Sequence, residues 1–262
     1  MLKRELKINL KSFIIWTSIL VSILLTAFLV YPAMAAQTET LDELLKTFPE
    51  ELLKAFSMDL ISISSVSGWF ATEGYMMVTL IGGSYVALLG GSILLKEESD
   101  KTIEYLYSKP ISRNKIVLSR VLTGVIYIFS LNLIISLFTL VSFYLSDDLN
   151  VKLWFVMSVA PLFLHYLFFF LSLLFSTYFK KIKAMTGISL GLVLGTYFVH
   201  ILTLMSDKLS FLKYVTPHEY FSSRYLIINE KLHYGYLLLT LILIIVSLSL
   251  TFYNYNKKEL TV

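Results

Sequence analysis

The sequence predicts an all-α integral membrane protein with six transmembrane helices, and three observations lead there. Of its 262 residues 56% are hydrophobic, and the mean hydropathy is +0.74, both far above a soluble domain. Apolar runs long enough to cross a hydrocarbon core of about 30 Å recur six times, at about 13–34, 74–95, 116–145, 153–178, 184–205 and 234–254. The runs are continuous rather than alternating, so helices and not barrel strands satisfy their backbone groups in lipid. The connections leave no room for a separate soluble domain, and 1–262 reads as one transmembrane domain.

Taken in order, Leu2, Leu6, Leu10 and Phe13 fall at helical spacing with lysines between them. They predict either a short amphipathic helix along the membrane surface or a merely basic flank. The basic start and Ala33-Met34-Ala35 imitate a signal peptide, but the run from Phe13 to Val30 exceeds the usual apolar core of one, which favours a retained first helix. Leu41, Leu44, Leu45, Phe48, Leu52, Leu53 and Phe56 keep a helical period broken at Pro49, predicting one or two surface helices before the second span. A serine-rich stretch, Ser57 to Ser67, and a Gly68-Trp69-Phe70 interfacial anchor follow.

The second span carries Gly83, Ala87 and Gly91 at four-residue spacing, and the fifth carries Gly187, Gly191 and Gly195. Small residues so spaced let helix backbones approach, within the chain or against a second copy. Ser18, Ser22 and Thr26 on the first span and Asn132 on the third are mild polar groups. They either line a substrate pathway or bond their own backbones. Residues 206–233 are semi-apolar and too charged to span, and predict two short helices broken at Pro217.

Charge sets the expected orientation. With both termini in the cytoplasm, the inner segments hold 15 of the 22 basic residues, as the positive-inside bias requires. The net charge of +4 then reflects topology, and basic residues spread over four loops give no nucleic-acid surface.

Chemistry-bearing patterns are scarce. The absence of cysteine excludes disulfides, thiolate metal sites and thiol catalysis. There is no phosphate-binding G-x-x-x-x-G-K-[ST] and no H-E-x-x-H. His165, His200, His218 and His233 are scattered, and none pairs with a carboxylate at metal-ligand spacing. No charged residue lies deep in a run, Glu73 and Arg120 standing at edges. Ion-driven carriers keep such charges, so the driving energy is expected from elsewhere.

The segment from Glu97 to Lys115 is dense in charge between two apolar runs. Ser99 or Asp100 is placed to cap a helix starting near Lys101. Ile103, Leu106 and Tyr107 would form its apolar stripe, and Pro110 would stop it. Glu97 or Glu98, Thr102, Ile103, Glu104, Leu106, Ser108, Pro110, Ile111, Ser112 and Arg113 resemble the pattern that follows the second span in the bacterial ABC-2-type permease family. Lys101 stands where that family usually has glycine, and Tyr107 replaces a leucine; Lys101 is expected to extend the helix. Six spans, the amphipathic start and Thr216, Pro217, Tyr220 and Phe221 extend the resemblance over nearly the whole chain.

The resemblance implies a plasma-membrane permease with cytoplasmic termini. It would work as a homo- or heterodimer with a separate ABC ATPase that holds ATP and Mg. The segment at about 97–110 would be the coupling helix. Its contacts would come from Glu97, Glu98, Thr102, Ile103, Glu104, Leu106, Tyr107, Ser108, Pro110 and Arg113. The cargo would be amphipathic or hydrophobic (a peptide toxin, an antimicrobial or a lipid-like compound), leaving between the two subunits. The competing readings are a non-transporting immunity or sensor subunit, and an ion efflux permease.

Overall fold

Six long helices carry the chain in the computed structural model, which describes residues 1–37, 43–44, 47–49, 52–53, 65–102 and 111–258, the side chain of Asp207 apart. They are α1 (Leu2–Ala35), α2 (Val66–Ile93), α4 (Arg113–Leu145), α5 (Val151–Ser176), α6 (Ile182–Met205) and α9 (Tyr234–Lys257). Shorter helices are α3 (Lys96–Ser99), α7 (Pro217–Tyr220) and α8 (Ser223–Asn229), with a 3-10 turn over Asp207–Tyr214. No strand occurs among the described residues. All six expected spans are present. The surface helices expected over Leu41–Phe56 fall largely outside the described residues, as does most of the Ser57–Ser67 stretch.

α5 is the hub, packed against α2, α9, α4 and α6. In their most apolar stretches α2 and α5 are 67% and 61% buried, against 17% for α1, α6 and α9, so α2 and α5 form the centre of the bundle. The outer helices expose Ile19, Phe198 and Ile245, the pattern of a lipid-facing surface. At Gly90 the two central helices touch backbone to side: a Cβ there would run into the Phe169 carbonyl.

Three expectations are corrected. The N-terminal segment is not a separate surface helix, because nothing between Leu2 and Tyr31 breaks the helix and the Asn9 amide braces the Glu5 carbonyl at 2.9 Å. Its 34 residues reach about 50 Å, well beyond the hydrocarbon core. The second span starts earlier than expected. Ser65 accepts the Gly68 N–H at 3.0 Å and Asp148 accepts the Ser67 N–H at 2.7 Å, which caps a helix beginning at Val66. Gly68-Trp69-Phe70 is therefore helical, and the Trp69 indole donates to the Ala27 carbonyl at 3.1 Å, holding α1 rather than the interface. The helical stretch after α6 does break before Pro217, which then starts α7, because the first helical position needs no N–H.

α2 is not uniform. It winds as a π-helix over Phe70–Gly74 and again over Val78–Gly82, with α-helical turns around them. The wider turn leaves carbonyls out of the regular ladder. One of them, Val78, accepts from His165 Nε2 of α5 at 3.1 Å, while His165 Nδ1 lies 3.1 Å from the Asn132 amide of α4. A Cβ at Gly82 would lie 2.7 Å from that imidazole, so glycine makes the space.

Candidate functional site

The charged segment after α2 is anchored at both ends by a polar knot at the termini end of the bundle. α4 begins at Arg113, capped by Ser112, which places Arg120 two turns inside a helix and not at its edge. Arg120 is 0% exposed and gives its guanidinium to the Ile93 carbonyl and the Glu97 carboxylate. Glu97 is 5% exposed, and its other oxygen lies 3.7 Å from Arg4 of α1, beside buried Glu5 at 3.8 Å from the same guanidinium. Two arginines and two glutamates thus balance where α1, α2, α3 and α4 meet. A charge taken out of water survives only with such a partner.

A second tie binds the end of α9. Lys258 Nζ meets Glu98 Oε2 at 2.6 Å and the Phe179 carbonyl at 2.6 Å. Arg113 donates to the carbonyls of Asn256 at 2.8 Å and Lys258 at 2.9 Å, capping the last turn of α9, where carbonyls have no partner within the helix.

Lys101 does not extend a helix. α3 ends at Ser99, and Lys101 takes φ 55°, the left-handed region. The Lys101 N–H reaches the Glu98 carbonyl at 3.4 Å and the Thr102 N–H the Glu97 carbonyl at 2.8 Å, the two bonds of a Schellman end. That position favours glycine, which is what the resembled pattern carries there. Ser99 and Asp100 therefore end a helix rather than cap the start of one.

The expected coupling residues divide accordingly. Glu97 and Glu98 face inward into ion pairs, Thr102 is exposed, and Arg113 is half-buried on the end of α9. Ile103, Glu104, Leu106, Tyr107, Ser108 and Pro110 lie outside the described residues. Of the small residues, Gly83 packs on Phe168 and Val193, and Gly91 packs on Ser189 and Met185. Ala87 is buried between them. Gly187, Gly191 and Gly195 meet nothing within 4 Å and lie on an open face of α6. Ser18, Ser22 and Thr26 are exposed on α1, Thr26 bonding the Ser22 carbonyl at 2.9 Å, whereas Asn132 is buried against His165. The four do not line one passage within the chain.

Gly187-Ile188-Ser189-Leu190-Gly191 has the spacing of a hydrolase nucleophile motif, but it sits in the middle of α6, and Ser189 is buried against α2. A strand-to-helix turn, which that motif needs, is missing.

At the far end the structure gathers groups that the sequence left scattered. His200 Nδ1 of α6 comes to 3.0 Å from Glu219 Oε2 of α7, off the line of a good hydrogen bond. His218 is buried beside it, its Nε2 donating to the Val193 carbonyl at 3.2 Å. Glu73, in the first π turn of α2, faces the same cavity. Only the fold brings α2, α6 and α7 together; no spacing announces it. No group of three metal-ligating side chains occurs among the described residues.

A family model described as ABC-2 family transporter protein matches residues 1–260. No curated protein and no solved structure matches the chain.

Proposed function

The chain belongs to the ABC-2 family of transporter proteins, and from that premise we propose that it is the permease of an ATP-driven exporter. The family makes it a membrane-embedded transport subunit of an ABC system, whose ATPase is in general a separate chain. In this reading the ATPase, holding ATP and Mg, docks on the segment at about 97–110. Both termini face the cytoplasm, and a second permease copy completes the path. The cargo is amphipathic or hydrophobic, a peptide by preference.

The observation that carries the reading is the anchoring of that segment at both ends. Arg120 and Lys258 hold Glu97 and Glu98 where it begins, and Arg113 holds the end of α9 where it closes. Buried, paired charges leave little slack. A push on the segment therefore reaches α2, α4 and α9 together, as alternating access requires.

The chain purified from its own membrane is expected to bring an ABC ATPase with it, identified by mass spectrometry. Glu104→Ala with Arg113→Ala is expected to release the ATPase while the melting temperature shows the permease still folded. Because Arg113 also caps α9, Glu104→Ala alone is the second variant. Unchanged ATPase recovery and unchanged export in both would overturn the docking assignment.

A further inference from the structure

One cavity at the far end carries a carboxylate, Glu73, and a buried imidazole, His218, on its wall. It holds about 50 Å3 between α2, α6 and the α7–α8 connection, with Glu73, Tyr197, His200 and His218 on its wall. Water occupies about 30 Å3 per molecule in the liquid, so the space suits one small polar group. Of the hydroxyls on the wall, those of Thr72, Thr79 and Tyr75 are already committed, and those of Tyr197, Ser222 and Ser223 are not. Thr72 donates to the Gly68 and Trp69 carbonyls, Thr79 to those of Tyr75 and Met76, and Tyr75 to that of Phe221.

His218 gives its one N–H to Val193, and a neutral imidazole then presents a bare acceptor at Nδ1. Burial, then the neighbouring His200, pushes the His218 imidazole down to about 3, so that nitrogen stays an acceptor at neutral pH. Nothing among the described residues bonds His218 Nδ1, and the Glu73 carboxylate has neither a hydrogen bond nor an ion pair there. No lysine or arginine is on this wall. Lys213 and Arg224 line a separate cavity of about 480 Å3 beyond Ser222.

We propose that this cavity binds a primary ammonium group, whose N–H donors meet the Glu73 carboxylate and the free nitrogen of His218. The positive charge offsets that of Glu73, and the Tyr197 ring adds an aromatic face that a cation favours. As a contact for cargo, the site rests on the export reading and gives the cargo an amine. As a binding site it stands without it.

The test uses the purified chain in phosphatidylcholine nanodiscs, without any ATPase, so its outcome is independent of the docking experiment. Dicyclohexylcarbodiimide adds to carboxyl groups in apolar surroundings, and mass spectrometry follows its addition to Glu73. At fixed pH, n-butylammonium is expected to slow that labelling about tenfold, the size of one charge-assisted hydrogen bond. n-Butanol and tetramethylammonium, which lack the charge or the donors, are expected to leave it unchanged. His218→Phe, which keeps the ring, is expected to lose most of the protection. Repeating the assay in phosphatidylethanolamine nanodiscs tells a lipid amine from a soluble one, since protection without added amine would identify the lipid. Equal protection by n-butanol or tetramethylammonium, or none from any amine, would overturn the proposal.

Discussion

Single side chains decide most at the two polar centres. Arg120→Met would leave Glu97 buried beside a distant Arg4 alone, at a cost of about 3–5 kcal/mol. Arg120→Met with Glu97→Gln is expected to recover most of it, which thermal unfolding in detergent would measure. Glycines split by environment. Gly90→Ala pushes a methyl into the Phe169 backbone and is expected to cost about 1–3 kcal/mol. Gly191→Ala meets open space and is expected to be neutral or to gain about 0.5–1 kcal/mol. Gly191 belongs to a small-residue stripe in the sequence and Gly90 to none, so only the neighbours show which glycine the packing needs. His218 titrates in the fold near 3, held down by desolvation first and His200 second, against about 6.5 in an unfolded chain. Between those values the unfolded state binds a proton that the fold refuses, so stability falls as pH drops through that window, by up to about 1.4 kcal/mol per unit. His200, Glu219 and Glu73 share the site, so the check is a difference: His218→Phe should flatten the fall in melting temperature between pH 7 and 5.

Elements were legible where hydrophobicity alone sets them, and less so where a cap or a partner does. The six spans follow from apolar length, which lipid enforces on any chain. The start of α2 did not, because its cap comes from Ser65 and from Asp148, a residue of another connection. Arg120 looked like an edge residue because the apolar run begins after the helix does. The His200–Glu219 contact and the cavity beside it depend on how α7 folds back on α6, which no local spacing encodes. Lys101 shows the reverse: a glycine-favouring site is recognisable once the geometry is known. Lys101→Gly removes a left-handed side chain from the end of α3 and is expected to stabilise the fold by about 1 kcal/mol, read as a higher melting temperature.

At the scale of the whole molecule, the bundle has two unlike ends: ion pairs that lock the termini end, and a small cavity holding Glu73 and His218 at the other. Charge bias predicts that the termini end faces the cytoplasm, and the absence of cysteine offers a clean check. Lys181→Cys is expected to react with an impermeant maleimide only after cells are opened, and Lys152→Cys in intact cells; the reverse pattern would invert the topology. Between the two ends, α2 carries its two π turns. A π turn is an α-helix that has taken in one extra residue while its flanks keep their faces. Deleting Thr79 should therefore reseal the ladder without rotating Glu73 away from its cavity, at the expense of the carbonyl offered to His165. The second span can thus change its length by one residue and keep its partners other than His165. Relatives of this chain that differ by a single residue there should be aligned with the gap inside Val78–Gly82.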